Sequence, residues 1–310
     1  MQRSSNIGGQ AVMEGIMMRN GGTYSVAVRK PDHTIELKTE PYKSLAPKWV
    51  GKVPIVRGMF AFVDSLRLGI GSLMWSAEFA AEDEEEEKTE KDPEKEAREW
   101  KIIMTVTMIV SIGFSIGLFV VLPYLLSSLL RRVGANEVLI SLTEALLRVA
   151  IFLLYMFLIS RMKDIQRVFS YHGAEHKCIN CIENGLDLNI ENVLKSSRRH
   201  KRCGTSFLLI VIVISVIAFL FIGLLGITSP LWRFLTRIIL IPIIAGVAFE
   251  FLRLAGSSDN PVVCTLAKPG LTLQGLVTRE PDAEMAEVAI AAVNAVFDWK
   301  AWQEEQGIRS

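Results

Sequence analysis

Two histidines and a glutamate stand together near the middle of the chain, in the order His172-x-x-Glu175-His176. If this stretch is helical, the two imidazoles lie one turn apart on one face, where both can bind one metal ion. The pattern is the inverted form of the zinc-protease motif, whose glutamate acts as a general base. The simpler interpretation is a hydrogen-bonded, partly buried polar helix that holds no metal.

Further ligands follow within a short distance. Three of the four cysteines and three of the four histidines lie between His172 and Cys203. His200 and Cys203 directly precede an apolar run, so we expect one of them to complete a Zn²⁺ site. Cys178 and Cys181 form a C-x-x-C pair, so a closed structural site of two histidines and two cysteines is an alternative.

The hydropathy of the chain predicts a membrane protein. Half of the 310 residues are hydrophobic and the net charge is only +1. Four apolar runs approach the roughly 20 residues that span a bilayer: residues 102–130, 138–160, 207–227 and 238–254. The start of the chain lacks an apolar signal segment, so we expect the cysteines to be thiols or ligands in a reducing compartment.

Charges inside the spans need partners. Glu144 and Arg148 are four residues apart within the second run, and we expect them to pair or to face the interior of the bundle. A structural ion pair and a transport role both fit this spacing. Glu250, in the fourth run, is a further candidate metal ligand, although an ion pair with Arg253 is the simpler interpretation.

The basic residues of the connectors predict the orientation. Residues 161–204 contain nine lysines and arginines, whereas the first connector has Arg131 and Arg132 and the third has Arg233 and Arg237. Cytoplasmic loops carry the excess of positive charge. We therefore expect loop 161–204 and both termini of this multi-pass membrane protein to be cytoplasmic.

Outside the spans, the sequence predicts an α+β cytoplasmic part built from the N-terminal segment, the middle loop and a C-terminal helix. Residues 1–50 contain a β-hairpin signal, with alternation over 24–28 and 35–39. Residues 51–80 are predicted to form an amphipathic helix at the membrane, and residues 81–100 are predicted to form an acidic linker.

Residues 257–310 complete the cytoplasmic part. Within them, residues 266–270 are predicted to form a turn. We expect the C-terminal helix to begin at Pro281 and to present an apolar face that the N-terminal piece covers.

Four blocks, at residues 8–19, 171–177, 202–207 and 274–281, together resemble the YqhQ family over nearly the whole length of the chain. The family's His-Pro-Arg-Cys-Gly pattern stands here as His200-Lys201-Arg202-Cys203-Gly204, with Lys201 in place of the proline. The resemblance implies a multi-span protein of a bacterial plasma membrane that is predicted to be a metal-dependent enzyme.

The sequence thus predicts a mainly α membrane protein with four transmembrane helices and a zinc hydrolase site at the cytoplasmic membrane face. His172, His176 and one of His200 or Cys203 would bind zinc. Glu175 would be the general base, with Glu14 or Gln10 beside it. The expected partners are the lipid bilayer and a membrane-proximal peptide or lipid substrate, with no nucleic acid. A non-enzymatic scaffold with a structural His/Cys site is the second hypothesis, and a transporter the third.

Overall fold

The computed structural model describes residues 4–82, 93–224, 229–258 and 260–308. Its first elements are four strands that pair in chain order as an antiparallel sheet: β1 Gly8–Val12, β2 Gly15–Asn20, β3 Thr23–Arg29 and β4 Ile35–Pro41. β3 and β4 form the hairpin predicted from the alternation. β1 and β2 form a second hairpin that was not predicted, because glycines and methionines dominate those residues and conceal the period of two.

Eleven α-helices follow in the described part of the chain: α1 Val56–Glu82, α2 Pro93–Ile116, α3 Leu122–Ser128, α4 Glu137–Ile159, α5 Lys163–Glu183, α6 Ile190–Lys195, α7 Gly204–Leu224, α8 Pro230–Ser257, α9 Pro261–Val277, α10 Ala283–Asn294 and α11 Trp299–Glu305. A π-helical turn, Gly117–Val121, joins α2 to α3, and a 3-10 turn, Leu129–Val133, follows α3. Of the predicted acidic linker, residues 83–92 lie outside the described residues.

Four helical segments are long and apolar enough to cross a membrane: Ile102–Val133, Glu137–Ile159, Gly204–Ile222 and Leu235–Gly256. They coincide with the four predicted runs, so that prediction is confirmed. Large apolar side chains along them are widely exposed, among them Val110, Phe114 and Phe221. Apolar surface on this scale is the mark of a chain that faces lipid, so this is a multi-pass membrane protein.

The chain divides into two compact units. The first, which we call the sheet unit, comprises the described residues within 1–83, 159–210 and 245–310. The second, which we call the span unit, comprises those within 84–158 and 211–244.

The sheet is covered on both faces because its strands alternate. Met17, Val26 and Val28 face α1, where Leu68, Trp75 and Phe79 pack against them. Ile16, Met18 and Ala27 face the opposite way, into a core shared with α5 and α10. The sheet unit therefore has three layers: α1, the sheet, and α5 with α10. Every residue of α5 from Gly173 to Glu183 is buried.

The C-terminal helix α10 presents the predicted apolar face, but it begins at Ala283, two residues after the predicted start at Pro281, because Asp282 caps it. Asp282 caps α10 by accepting a hydrogen bond from the Met285 backbone N–H at 2.8 Å. Met285, Val288 and Ala292 are buried against the sheet and α5. Ser25 ties β3 to α10, because its hydroxyl donates to the Ala292 carbonyl at 2.7 Å.

The predicted turn at residues 266–270 is wrong, because α9 continues through it with Pro269 inside. Tertiary packing overrides the local signal here. A Cβ on Gly270 would lie 2.9 Å from Ser206, so the glycine lets α9 approach the start of α7 closely. Asn260 caps the helix and Pro261 occupies its first turn, which fixes its start.

Helix α1 is the predicted amphipathic helix, and its charged residues have specific partners. Asp64 accepts hydrogen bonds from Tyr42, Ser44 and the Leu45 backbone. Arg57 donates two hydrogen bonds to the Glu250 carboxylate, at 2.6 and 2.5 Å. Its attachment to the membrane surface stays a prediction.

Candidate metal centre

The helix predicted around the two histidines is α5, and it places His172 and His176 one turn apart with ring centroids separated by 4.4 Å. Cys203 reaches them from the turn just before α7, and its Sγ lies 3.3 Å from His172 Nε2. The ligand atoms of these three residues all lie within 4.8 Å of one another. Two imidazoles and one thiol at this spacing suit a zinc ion, which prefers nitrogen and sulfur ligands.

Backbone carbonyls fix the tautomer of each histidine. His172 Nδ1 lies 2.9 Å from the Val277 carbonyl oxygen, and His176 Nδ1 lies 2.6 Å from that of Arg198. A carbonyl can only accept, so each Nδ1 must carry the proton. The lone pair of each neutral ring is then on Nε2. This is the arrangement that orients histidines in metal sites, where the second nitrogen is held by an outer partner.

A glycine permits the contact that orients His172. A Cβ on Gly173 would lie 1.9 Å from the Arg279 carbonyl oxygen. Without a side chain there, the backbone after α9 runs directly across α5, and the Arg279 N–H donates to the Phe169 carbonyl at 2.9 Å. The same crossing brings the Val277 carbonyl to His172.

Buried donors on α5 hold the irregular segment that leads to Cys203. Within this segment, Lys177 Nζ donates to two carbonyls and Asn180 Nδ2 donates to two more, at 2.6–3.0 Å. His176 Nδ1 donates to a fifth carbonyl. The carbonyls belong to Leu194, Ser196, Ser197, Arg198 and Arg199. Neither Lys177 nor Asn180 was predicted, although their positions one and four residues after His176, a candidate ligand, are a usable signal.

Gln274 on α9 completes this support. It is fully buried, and its Nε2 donates to the His200 carbonyl at 2.8 Å and to Ser206 Oγ at 3.0 Å. Its Oε1 accepts from the His200 backbone N–H at 3.0 Å. The amide thus holds the His200 main chain before Cys203 and the Ser206 side chain after it, which links the block at 274–281 to the histidine block.

Glu175 lies beside the three donor atoms. One of its carboxylate oxygens is 3.9 Å from His172 Nε2. Burial raises the pKa of this carboxyl, although a hydrogen bond from the Gly9 N–H opposes part of this shift. Gly9 on β1 comes so close that a Cβ there would lie 3.1 Å from Glu175 Cγ. The sheet therefore reaches the site through Gly9.

His200, the other predicted third ligand, does not join this group in the described residues. Its Nε2 lies 3.5 Å from a carboxylate oxygen of Glu183, and burial lowers the pKa of its imidazole. Glu183 also accepts from Arg202 and from the Ser5 N–H and hydroxyl. Burial opposes ionisation of Glu183, but these donors hold its pKa at about 2.

Glu14 and Gln10, the residues predicted to lie beside Glu175, contact other parts of the protein. Glu14 occupies the tight turn between β1 and β2 with φ at 47°. There its carboxylate accepts from Arg167 at 2.5 Å and from the Tyr171 hydroxyl at 3.3 Å. The exposed Gln10 lies against Gly69 of α1. Both contacts are with residues other than the histidines and Cys203.

The remaining candidates are also placed apart from the site. Cys178 and Cys181 are buried in the core between α5 and the sheet, and burial raises the pKa of both thiols. Glu250 is paired with Arg57, as described above, and Arg253 contributes a weaker electrostatic attraction. The described residues that could hold a metal together are therefore His172, His176 and Cys203.

The fold and site define a class: a four-span membrane protein with a buried His/His/Cys group at the start of its third span. The family model "Protein of unknown function (DUF1385)" matches residues 53–299, and the chain belongs to this family. It is also similar to "Uncharacterized protein YqhQ" of Bacillus subtilis (strain 168), with 37% identity over 304 residues, 96% of this chain and 94% of that protein. This confirms the resemblance carried by the four blocks. No solved structure matches the chain.

Replacement of Gly173 by alanine should weaken metal binding. The added methyl group would collide with the Arg279 carbonyl and push the Val277 carbonyl away from His172, which would lose its orientation. Loss of such an outer hydrogen bond lowers metal affinity by about 10–100-fold. Competition with a chelating dye in detergent measures this. Gly275→Ala, on α9 with open space around it, is the matched control and should bind as the wild type does.

Glu183 should make the stability of the protein depend on pH. Its pKa is about 2 in the folded state against an ordinary value of 4.5, so its contribution is full above about pH 4.5 and is lost as the pH falls toward 2. The full contribution is about 3 kcal/mol. Thermal unfolding of Glu183→Gln and the wild type should differ most at about pH 7 and by less than half as much at about pH 3. Equal differences at both pH values would contradict this role.

Proposed function

We propose that this protein is a membrane-embedded, zinc-dependent hydrolase whose site faces the cytoplasm of a bacterium. The observation that carries the proposal is the convergence of His172, His176 and Cys203, with both imidazole Nε2 atoms free of protons and Glu175 beside them. Three protein ligands leave a fourth position for water, as in catalytic zinc sites.

The donor set favours zinc over harder cations. A thiolate and two neutral imidazoles are soft to intermediate ligands, which magnesium and calcium avoid. A bound zinc ion would supply a water with a pKa of about 7. Glu175 is the residue that would hold the proton of such a water, because its carboxyl lies 3.9 Å from His172 Nε2 and its other close partner is the Gly9 N–H.

The location of the site supports a substrate close to the membrane. Cys203 immediately precedes the third span, and His172 lies on the helix that follows the second. Nine basic residues between positions 161 and 204 favour the cytoplasmic side. A peptide or lipid-linked substrate that reaches this surface fits both facts.

A structural zinc site is the second candidate. His176 and Cys203 are almost fully buried, and Glu175 is close enough to act as a fourth ligand. A closed site would fasten α5 to the beginning of α7 without catalysis.

Protein purified in detergent without chelator should contain about one zinc ion per chain, because three preformed ligands bind zinc tightly. Elemental mass spectrometry of the wild type and of a His172→Ala/His176→Ala variant measures this. The variant should lose the metal, while His33→Ala, in the exposed turn between β3 and β4, should keep it. A wild type free of metal would overturn the proposal.

Glu175→Gln separates the catalytic from the structural site. With cobalt in place of zinc, an open fourth position lets acetohydroxamate bind and change the visible spectrum of the ion. In the hydrolase, Glu175→Gln should retain cobalt and this response but lose activity. In a closed site with Glu175 as a ligand, hydroxamate should leave the wild-type spectrum unchanged, and Glu175→Gln should lose much of the metal.

A further inference from the structure

Residues 43–55, which we call the anchor segment, join β4 to α1 and expose large apolar side chains. Leu45, Trp49, Val53 and Ile55 are 38–61% exposed. Tryptophan is usually well buried in a protein that water surrounds, and it is enriched where a membrane meets water. The exposure of these side chains calls for an apolar partner outside the chain.

The anchor segment is held in a fixed conformation by its own contacts with α1 and the core. Asp64 on α1 accepts a hydrogen bond from the Leu45 backbone N–H at 3.0 Å. Lys48–Lys52 form a 3-10 turn around Val50, which is fully buried. Because the turn directs Val50 inward, the neighbouring Trp49 is directed outward. The fold itself therefore presents this tryptophan at the surface.

The end of the anchor segment lies against the fourth span. A Cβ on Gly246, within that span, would lie 2.5 Å from the Ile55 carbonyl oxygen. A Cβ on Gly58 would lie 2.6 Å from the Gly246 carbonyl oxygen, so the two glycines let the backbones touch, as small residues do between membrane helices. Near the end of the same span, Glu250 accepts from Arg57. Side chains that are exposed beside this span face lipid.

The backbone of Ile55 is strained at this contact. Its φ of 66° lies in the left-handed region, which a β-branched residue rarely adopts. Such a conformation persists only where the surroundings impose it. Here the chain packs on Gly246, and the Met59 N–H donates to the Ile55 carbonyl at 2.9 Å. The strained residue turns the chain into α1 and holds the anchor segment beside the span.

Helix α1 extends the same apolar surface. Its inner face packs on the sheet through Leu68, Trp75 and Phe79. A second apolar row lies on the opposite side of the helix, at intervals of three and four residues that place its members on one stripe. A helix with an apolar face turned away from the protein core is typical of the membrane interface. The members of this row, each 37–48% exposed, are Val63, Leu66, Ile70 and Leu73.

The charged side chains of the spans, in contrast, have partners within the chain. Arg148 Nη2 donates to Glu144 Oε1 at 2.8 Å, which confirms the predicted pairing of these two residues. Arg237, which the sequence analysis assigned to a connector, lies inside the fourth span and donates to the other oxygen of the same carboxylate. Charges that lie among apolar helices are thus matched by other side chains.

The three lysines of the anchor segment lack such partners. Lys43, Lys48 and Lys52 are exposed, and none has an acidic partner among the residues that the structure describes. Residues 41–63 contain four basic side chains and no acidic one. Lysines close to a bilayer are attracted by anionic lipids. Charge complementarity therefore favours an anionic surface for the same segment that exposes Trp49.

We propose that the anchor segment lies in the bilayer surface and binds the headgroups of anionic phospholipids. Its apolar side chains reach the acyl chains, and its three lysines contact the phosphate groups. Lipid is the occupant because the segment adjoins a span, and lipid is the medium that surrounds a span. The cluster of lysines selects anionic over zwitterionic headgroups.

Fluorescence quenching in bilayers of brominated phospholipid tests the location. Bromine atoms on the acyl chains quench tryptophans that they contact. The full chain in brominated phosphatidylglycerol should lose the emission of Trp49, which is obtained as the difference between the wild type and Trp49→Phe. Trp302→Phe is the matched control, because Trp302 packs on the core of the sheet unit and its emission should persist. If the emission of Trp49 persists equally, water or another protein, such as a second copy, covers the segment, and the proposal is overturned.

Mixed bilayers test the preference for anionic headgroups. Bromine is carried first by phosphatidylglycerol in unlabelled phosphatidylcholine, and then by phosphatidylcholine in unlabelled phosphatidylglycerol. One lysine near an anionic surface corresponds to about a fivefold preference, so phosphatidylglycerol should compete for Trp49 at least about fivefold better. Lys48→Gln/Lys52→Gln should remove most of this preference. Lys195→Gln/Lys300→Gln removes the same charge from exposed positions of α6 and α11 and should retain it.

Equal quenching of Trp49 by the two lipids in the wild type would contradict the proposal. A preference that Lys48→Gln/Lys52→Gln leaves unchanged would contradict it as well. Because both lysines are exposed, this double variant should unfold at the wild-type temperature in detergent, which separates a loss of lipid preference from a loss of folding.

Discussion

The geometry of the site depends on hydrogen bonds from buried side chains to the carbonyls of residues 194–200. This segment packs against α5 but has little regular structure of its own, so its carbonyls have to be satisfied by side chains. Lys177 and Asn180 donate hydrogen bonds to four of these carbonyls, and Gln274 donates one to the carbonyl of His200. His176 Nδ1 donates to the Arg198 carbonyl, and this hydrogen bond also fixes the tautomer of His176. The hydrogen bond that orients a metal ligand is thus one of those that hold the segment leading to Cys203.

This dependence explains why α5 is polar in sequence yet buried in the fold. A helix buried on all sides is usually apolar, but here the polar residues have specific backbone partners in α9 and in the segment before α7. Gly173 and Gly9 also position the site, through close backbone contacts instead of hydrogen bonds. By lacking a side chain, they let two other backbones come within contact distance of the helix. Donors and glycines together set the position of the three candidate ligands.

The sequence predicted the parts of this structure that depend on local spacing. Histidines four residues apart require only a helix, the spans require only apolar length, and the apolar face of α10 requires only a period of 3.6. The choice between His200 and Cys203 was different. It depends on the path of the chain, which Gln274 fixes from 74 residues away, and no local pattern predicts that path. The position of Glu14 likewise depends on a distant partner, since Arg167 lies on α5.

The two units each contain a buried cation, and the two cations differ in how fully their charge and N–H donors are paired. Lys177, in the sheet unit, has three N–H donors and three acceptors: the Leu194 and Ser196 carbonyls and the Glu280 carboxylate at 2.9 Å. Its charge and its donors are both matched within the chain. Arg148, in the span unit, has a shared carboxylate and two donors without partners among the described residues. Because water is scarce between apolar helices, the span unit is where a missing partner costs more.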